Sequence, residues 1–322
     1  MTESTAGFAL QDICVLGGII TDFICYVDKE PASGETVLAS DFSQGFGGKG
    51  ANQCIMAARM GASCHMVGKV GSDPNGVETL QNFENHLVNK DSVEVDSSSH
   101  TGVATISVEK SSGKNRIIVA QGANKNVDAF FIGSHSSAFE NCRVTLAGME
   151  VMQDAVIEAL RRAKNFKRTT ILNPAPAPNG FNQELFNLAD VLCPNESEAA
   201  KLVGKPTDFI KSVEDAKQVA RDLRKYGAKT IIITLGEMGC IAMAEGSENI
   251  FHVEVPPVNA IDTTGAGDCF CGCLAFFMAR FPKLALEEKI RRSCAVASVS
   301  VQKRGTQLSF PRKEELPAEL FQ

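Results

Sequence analysis

The chain has 322 residues, 44% of them apolar and 22% charged, and a formal net charge of −6. That balance suits a globular protein with a large core, and the acidic charge excludes a broad basic surface for nucleic acid. Eleven cysteines without a disulfide-like spacing, no charged-then-apolar leader and no apolar run long enough for a bilayer predict a cytoplasmic protein with reduced thiols.

In chain order, residues 1–11 read as a loose tail and 13–16 as a buried strand that ends at Gly17-Gly18. Asp22 follows closely and is expected just past the strand's C-terminal end, where open α/β sheets bind ligands. Strands are predicted over 23–27 and 36–38, about a turn at 31–34. Gly45-Phe46-Gly47-Gly48-Lys49-Gly50 then forms a Gly-rich loop that opens a helix over 51–60. A strand at 64–67, a helix at 74–87 and short β-like pieces at 93–95 and 103–108 follow. Residues 114–119 return across a hairpin at Ser111-Ser112-Gly113. From there strands at 144–147, 169–172, 191–193, 231–234, 240–243 and 251–253 are interleaved with helices at 154–164, after Asn195, at 213–226, 265–280 and 286–302.

Apolar strands alternating with helices predict an α/β chain with a largely parallel central sheet and helices on both faces. The β-rich pieces at about 20–42 and 93–121 interrupt that rhythm. They are expected to form a small β-sheet lid on one domain spanning 1–322.

Asp262-Thr263-Thr264-Gly265-Ala266-Gly267-Asp268 runs directly into an apolar helix. Thr263, Thr264 or Gly265 can cap that helix, with Asp268 in its first turn. A helix start carries free N–H groups and partial positive charge, so small residues at 265–267 offer an anion hole beside a carboxylate. Phosphoryl transfer to an alcohol needs both. The same residues also make an ordinary cap.

Gly45-x-Gly47-x-x-Gly50 has the letters of a dinucleotide fingerprint but does not follow the first buried strand, and no Walker pattern surrounds Lys49. Lys49 and Asn52 instead suit a ligand with several hydroxyls. Glu150 follows a strand at the expected ligand edge. Asn195 is a natural N-cap with Glu196 and Glu198 in the first turn, and Asn195 with Glu198 could order a hydrated Mg²⁺–phosphate shell. Thr234-Leu235-Gly236 reads as a hairpin or a nucleotide-contacting turn. Cys269, Cys271 and Cys273 do not converge on one helical face, so they read as packing residues.

Together these motifs resemble the PfkB family of sugar kinases, with its ribokinase branch the nearest likeness. Gly47-Gly48-Lys49-Gly50-Ala51-Asn52 is similar to the family's first motif and Asp262 to Asp268 to its second. Asn-Pro-Ala-Pro at 173, Asn195-x-x-Glu198 and Thr234-Leu235-Gly236 stand between them in order. The resemblance implies a ribokinase-like fold and transfer of the γ-phosphoryl of ATP to the 5-hydroxyl of D-ribose, with Mg²⁺ and K⁺. It makes Asp268 the base and Gly265, Ala266 and Gly267 the anion hole. Thr21, Asp22, Gly48, Lys49, Gly50, Ala51, Asn52 and Glu150 would hold the sugar, joined by Asp268. Asn195, Thr234, Leu235, Gly236, Gly239 and Gly267 would face ATP. Asp262, Thr264, Ser300, Lys303, Gly305 and Ser309 would hold the monovalent cation, Lys303 through its carbonyl. A homodimer through the lid edges is implied as well. Cys294, where many such kinases have Asn near adenine, and Cys273, in place of Ala or Gly, depart from the pattern. The alternatives are another kinase of the family, acting on adenosine, fructose or a keto-deoxy sugar acid, and a sugar-binding regulator without catalysis.

Overall fold

The computed structural model describes residues 10–111 and 115–322, so most of the expected tail and the tip of the expected hairpin, Ser112-Gly113, lie outside the described residues. The strands are β1 (Gln11–Leu16), β2 (Ile20–Val27), β3 (Asp41–Gly47), β4 (Cys64–Gly71), β5 (Asn89–Asp96), β6 (Gly102–Glu109), β7 (Asn115–Ala120), β8 (Cys142–Gly148), β9 (Thr169–Asn173), β10 (Val191–Leu192), β11 (Thr230–Thr234), β12 (Cys240–Met243) and β13 (Ile250–Val253). The α-helices are α1 (Lys49–Arg59), α2 (Pro74–Asn85), α3 (Ala129–Ser134), α4 (Ser136–Glu140), α5 (Gln153–Asn165), α6 (Glu184–Leu188), α7 (Glu196–Leu202), α8 (Val213–Lys225), α9 (Ala266–Arg280) and α10 (Leu286–Ser300).

The expected α/β architecture is present. Among the described residues, a nine-stranded sheet runs β13-β12-β11-β10-β9-β8-β1-β4-β5 and a four-stranded sheet runs β3-β2-β6-β7. The large sheet is parallel from β11 to β5, and only β12 runs against its neighbours. Strand alternation sorts its side chains onto two faces. Ile13 and Val15 of β1 join a core with α1, α9 and α10, whereas Cys14 and Leu16 join one with α5 and α8. Both faces are therefore dry, which is why these strands read as unbroken apolar runs.

The chain builds β4 and β5 on one side of β1, then returns to place β8 on the other. Ligands of open α/β sheets bind at the strand ends beside such a switch. Gly17-Gly18 and Glu150 follow β1 and β8 there, Asn173 ends β9 and Thr234 ends β11. Among the described residues, no helix is long and apolar enough to cross a membrane.

Several predicted boundaries differ. Residues 36–38 are irregular, with Leu38 91% exposed. The strand lies instead at β3, whose register pairs Asp22 with Gly45 and Ile20 with Gly47. The first half of the predicted Gly-rich loop is thus strand, because glycine pairs its backbone as well as any residue and leaves room above it. The piece at 93–95 belongs to β5, which pairs in parallel with β4 in the large sheet. The second segment of the small sheet therefore begins at Gly102 rather than 93, and the first reaches Gly47 rather than 42.

Candidate active site

Helix α9 starts at Gly265, whose φ of 78° is left-handed and favours glycine, and no side chain caps it. A Cβ on Gly265 would stand 2.6 Å from Thr306 Cγ2, so the turn is fixed by contact as well as conformation. A Cβ on Gly267 would meet nothing within 4 Å. The first turn therefore presents its backbone to open space at the positive end of a 15-residue helix. Gly265, Gly267 and Asp268 line a cleft of about 130 Å³, together with Lys49, Asn173, Ala175, Cys193, Asn195, Glu198, Thr234 and Cys271.

Asp268 is buried, and both its oxygens are held by amides of adjacent residues on α1. Asn52 Nδ2 donates to Oδ2 at 2.9 Å and Gln53 Nε2 to Oδ1 at 3.0 Å. The Asp268 charge holds the Lys49 ammonium above its ordinary pKa, with Glu150 and Glu198 adding to it and burial opposing. Burial pushes Glu150 up to about 7, against the pull of Lys49. Burial and the Asp268 charge push Asp22 up to about 6. Glu198 is raised too, mainly by burial. Four carboxylates around one lysine leave the site short of positive charge.

Close approaches seat the residues around the start of α1. A Cβ on Gly47 would fall 2.2 Å from Asp22 Oδ2, and one on Gly50 2.6 Å from Gly17 Cα. Gly48 caps α1 at φ 84°. Lys49 N–H donates to Glu150 Oε2 at 2.7 Å. Asp22, Lys49, Asn52, Glu150 and Asp268 are thus neighbours. Gly50 and Ala51 are buried in α1. Thr21 is buried, with its hydroxyl unpartnered.

Asn195 and Glu198, which also line the cleft, form a capping box. Asn195 Oδ1 accepts from Glu198 N at 2.9 Å, and Glu198 Oε2 accepts from Asn195 N at 3.0 Å. Ser197 Oγ also donates to Asn195 Oδ1, at 2.9 Å. Asn195 bridges to Thr234 as a strand pair. Leu235 lies in the core and its N–H donates to Gly239 O at 2.8 Å, closing the turn at Gly236. A Cβ on Gly239 would stand 2.1 Å from Val253 O, whereas Gly236 faces open space. The structure thus brings Asn195, Glu198 and Thr234 to the cleft, and gives Leu235 and Gly239 to the turn behind it. Cys294 packs against Cys240, sulfurs 3.7 Å apart, and Cys273 is buried in the core.

Just before α9, Asp262 accepts from Thr264 N and Gly305 N at 2.9 Å each. Ser300 and Ser309 are buried, and their hydroxyls donate to Ala297 O and Thr306 O. Lys303 is exposed, with its ammonium 3.6 Å from Glu315. Asp262 thus ties Thr264 to Gly305; among the described residues, no hydrogen bond ties Lys303 to these three.

Sequence reasoning missed Gln53, Cys193 and Gln307. Gln307 Nε2 donates to Asn52 Oδ1 at 3.0 Å, and Asn82 Nδ2 donates to Gln307 Oε1 at 2.9 Å. A second polar amide directly after Asn52, at the head of the apolar stretch of α1, was the available signal for Gln53.

A family model described as pfkB family carbohydrate kinase matches residues 10–313. The chain is 37% identical over 309 residues to a ribokinase of Mus musculus, covering 96% of this chain and 94% of that protein. It is 34% identical over 305 residues to a deoxyribokinase of Salmonella typhi, covering 95% and 97%. The structure of Arabidopsis thaliana ribokinase complexed with ribose and ATP matches with a TM-score of 0.86 at 28% identity, over 95% of this chain and 97% of that one. The chain belongs to the pfkB family of carbohydrate kinases.

Proposed function

We propose that this chain is an ATP-dependent kinase that moves the γ-phosphoryl of ATP to the 5-hydroxyl of D-ribose. The observation that carries the reading is Asp268, held by two amides in the first turn of α9, beside an uncapped helix start whose Gly267 opens on the cleft. Relatives named ribokinase across nearly the whole chain support it.

Asp268 orients the attacking hydroxyl and takes its proton late, since in a loose transition state position matters more than basicity. Backbone N–H groups over Gly265, Ala266 and Gly267 stabilise charge on the transferred phosphoryl, where one donor is worth about 10²–10³ in rate. Asp22, Lys49, Asn52 and Glu150 hold the sugar hydroxyls. Mg²⁺ entering with ATP supplies the positive charge that four carboxylates and one lysine lack. Glu198 suits its hydrated shell, because its Oε1 lies outside the capping box. Asn195 Oδ1 already accepts twice, so Asn195 offers its amide hydrogens to phosphate rather than its oxygen to the metal. Asp262 anchors a K⁺ site beside the anion hole. The four-stranded sheet acts as a lid, its edge pairs with a second copy of the chain, and the protein works in the cytoplasm.

The test is ADP formation dependent on added sugar, with ribose, 2-deoxyribose, fructose and adenosine compared. The Salmonella typhi relative makes 2-deoxyribose the alternative to beat. Asp268→Asn is expected to lower kcat by about 10²–10⁴ while ATP still binds. Near-normal turnover in that variant removes Asp268 from the role of base.

A further inference from the structure

Gln53 is 0% exposed, sits on α1 next to Asn52, and does not line the cleft. Its Nε2 donates to Asp268 Oδ1 at 3.0 Å and to Asn173 Oδ1 at 3.1 Å, so both amide hydrogens are used. Its Oε1 is buried and, among the described residues, has no hydrogen-bond partner. The orientation cannot be reversed. Asn173 Nδ2 donates to Cys193 O at 2.8 Å, which turns Asn173 Oδ1 toward Gln53. A flipped Gln53 amide would set its oxygen against those of Asn173 and Asp268.

A buried acceptor without a donor is destabilising, and native proteins keep few of them. Methionine or leucine would fill the same space without that penalty. What the glutamine adds is the pair of donors, one of them on the carboxylate. The other carboxylate oxygen is held by Asn52, whose own amide is fixed by Gln307 and, behind it, Asn82. Each oxygen of Asp268 thus has one amide donor from consecutive residues of α1, and the plane of the carboxylate is set.

We propose that Gln53 is a positioning residue for phosphoryl transfer, its amide fixing the plane of Asp268 from behind the cleft wall without touching either substrate. This rests on Asp268 serving as the base. A carboxylate freed from one of its donors would swing toward the Lys49 ammonium, which feels the Asp268 charge more strongly than that of Glu150 or Glu198. Misplacement of about 1 Å at a reacting group costs roughly 10²-fold in rate.

The experiment is steady-state kinetics of Gln53→Met and Gln53→Glu beside Asp268→Asn. In Gln53→Met we expect kcat to fall by about 10- to 100-fold, with the KM for ribose and for ATP within about twofold and the melting temperature unchanged or higher. In Gln53→Glu the new carboxyl donates only when protonated, so its kcat relative to the parent should rise as pH falls while circular dichroism shows the variant folded at each pH, a profile that loss of folding alone does not give. Parental kcat in a folded Gln53→Met overturns the proposal, as does a pH-independent activity ratio in Gln53→Glu. Should Gln53→Met not fold, the near-isosteric Gln53→Glu profile decides alone. Normal turnover in Asp268→Asn overturns the underlying base assignment instead, so the two failures are distinct.

Discussion

The backbone N–H of Lys49 donates to Glu150 Oε2 at 2.7 Å, joining the first turn of α1 to the residue that follows the strand end of β8. That bond ties Glu150 in a buried place where its pKa rises to about 7, while Asp22 rises to about 6. Near pH 6.5 both groups are partly protonated in the free protein. Sugar hydroxyls that donate to them favour the ionised form and lower both pKa values. Ribose binding should therefore release protons near pH 6.5 and tighten as pH rises from about 5.5 to 8. Calorimetric titration in two buffers of different ionisation enthalpy measures the release directly. Equal heats in the two buffers would detach Asp22 and Glu150 from the sugar.

Gly267 separates stability from activity. A Cβ there meets nothing within 4 Å, and the position is helical, so Gly267→Ala should fold normally and gain about 0.4–1 kcal/mol from a less flexible unfolded chain. On the proposed mechanism that open space is where a phosphoryl oxygen would approach the helix start. The same methyl should lower kcat by about 10²–10³. A melting curve and a turnover assay on one preparation check both halves. A variant of unchanged turnover would place the migrating phosphoryl elsewhere.

Asp262 spans two loops, accepting from Thr264 N just before α9 and from Gly305 N beyond α10. A cation held there would set the shape of the anion-hole turn without touching substrate. Turnover in buffer depleted of Na⁺ and K⁺ should rise on adding K⁺, and Asp262→Ala should lose about tenfold or more in kcat together with most of that response. Identical rates with and without K⁺ in the parent protein would remove the cation site.

The glycine-rich start of α9 could be read from sequence because its signals are local: small residues, a polar run, then an apolar helix with Asp268 in its first turn. The large sheet was legible for the same reason, since strands buried on both faces spell their burial as apolar runs. The strand at β3 was not, because Gly45 and Gly47 look like loop until Asp22 is seen to occupy the space a Cβ on Gly47 would take. The edge strand β5 was misassigned because its alternation resembles that of a lid strand, and only the parallel register with β4 tells them apart. Gln53 stayed hidden because its partners, Asn173 and Asp268, lie 120 and 215 positions away. Contacts of that range leave no periodic trace in the chain.

The edge of the small sheet carries the last prediction. β7 is one of its two outer strands, and Ile117, Ile118 and Val119 are 52%, 74% and 49% exposed. An edge strand presents unpaired N–H and C=O groups, and proteins usually blunt such edges with charge or proline. Three consecutive β-branched apolar residues do the opposite, as expected of an edge that a second copy of the chain covers. The protein should therefore elute as a dimer in size-exclusion chromatography with light scattering. Ile118→Lys, which sets an ammonium into that seam, should shift it toward monomer at micromolar concentration while the fold, judged by circular dichroism, persists. If the same sheet is the lid, the monomeric variant should show a raised ribose KM, since the lid would then lose its support. A parent protein that runs as a monomer would leave this edge without the partner its composition calls for.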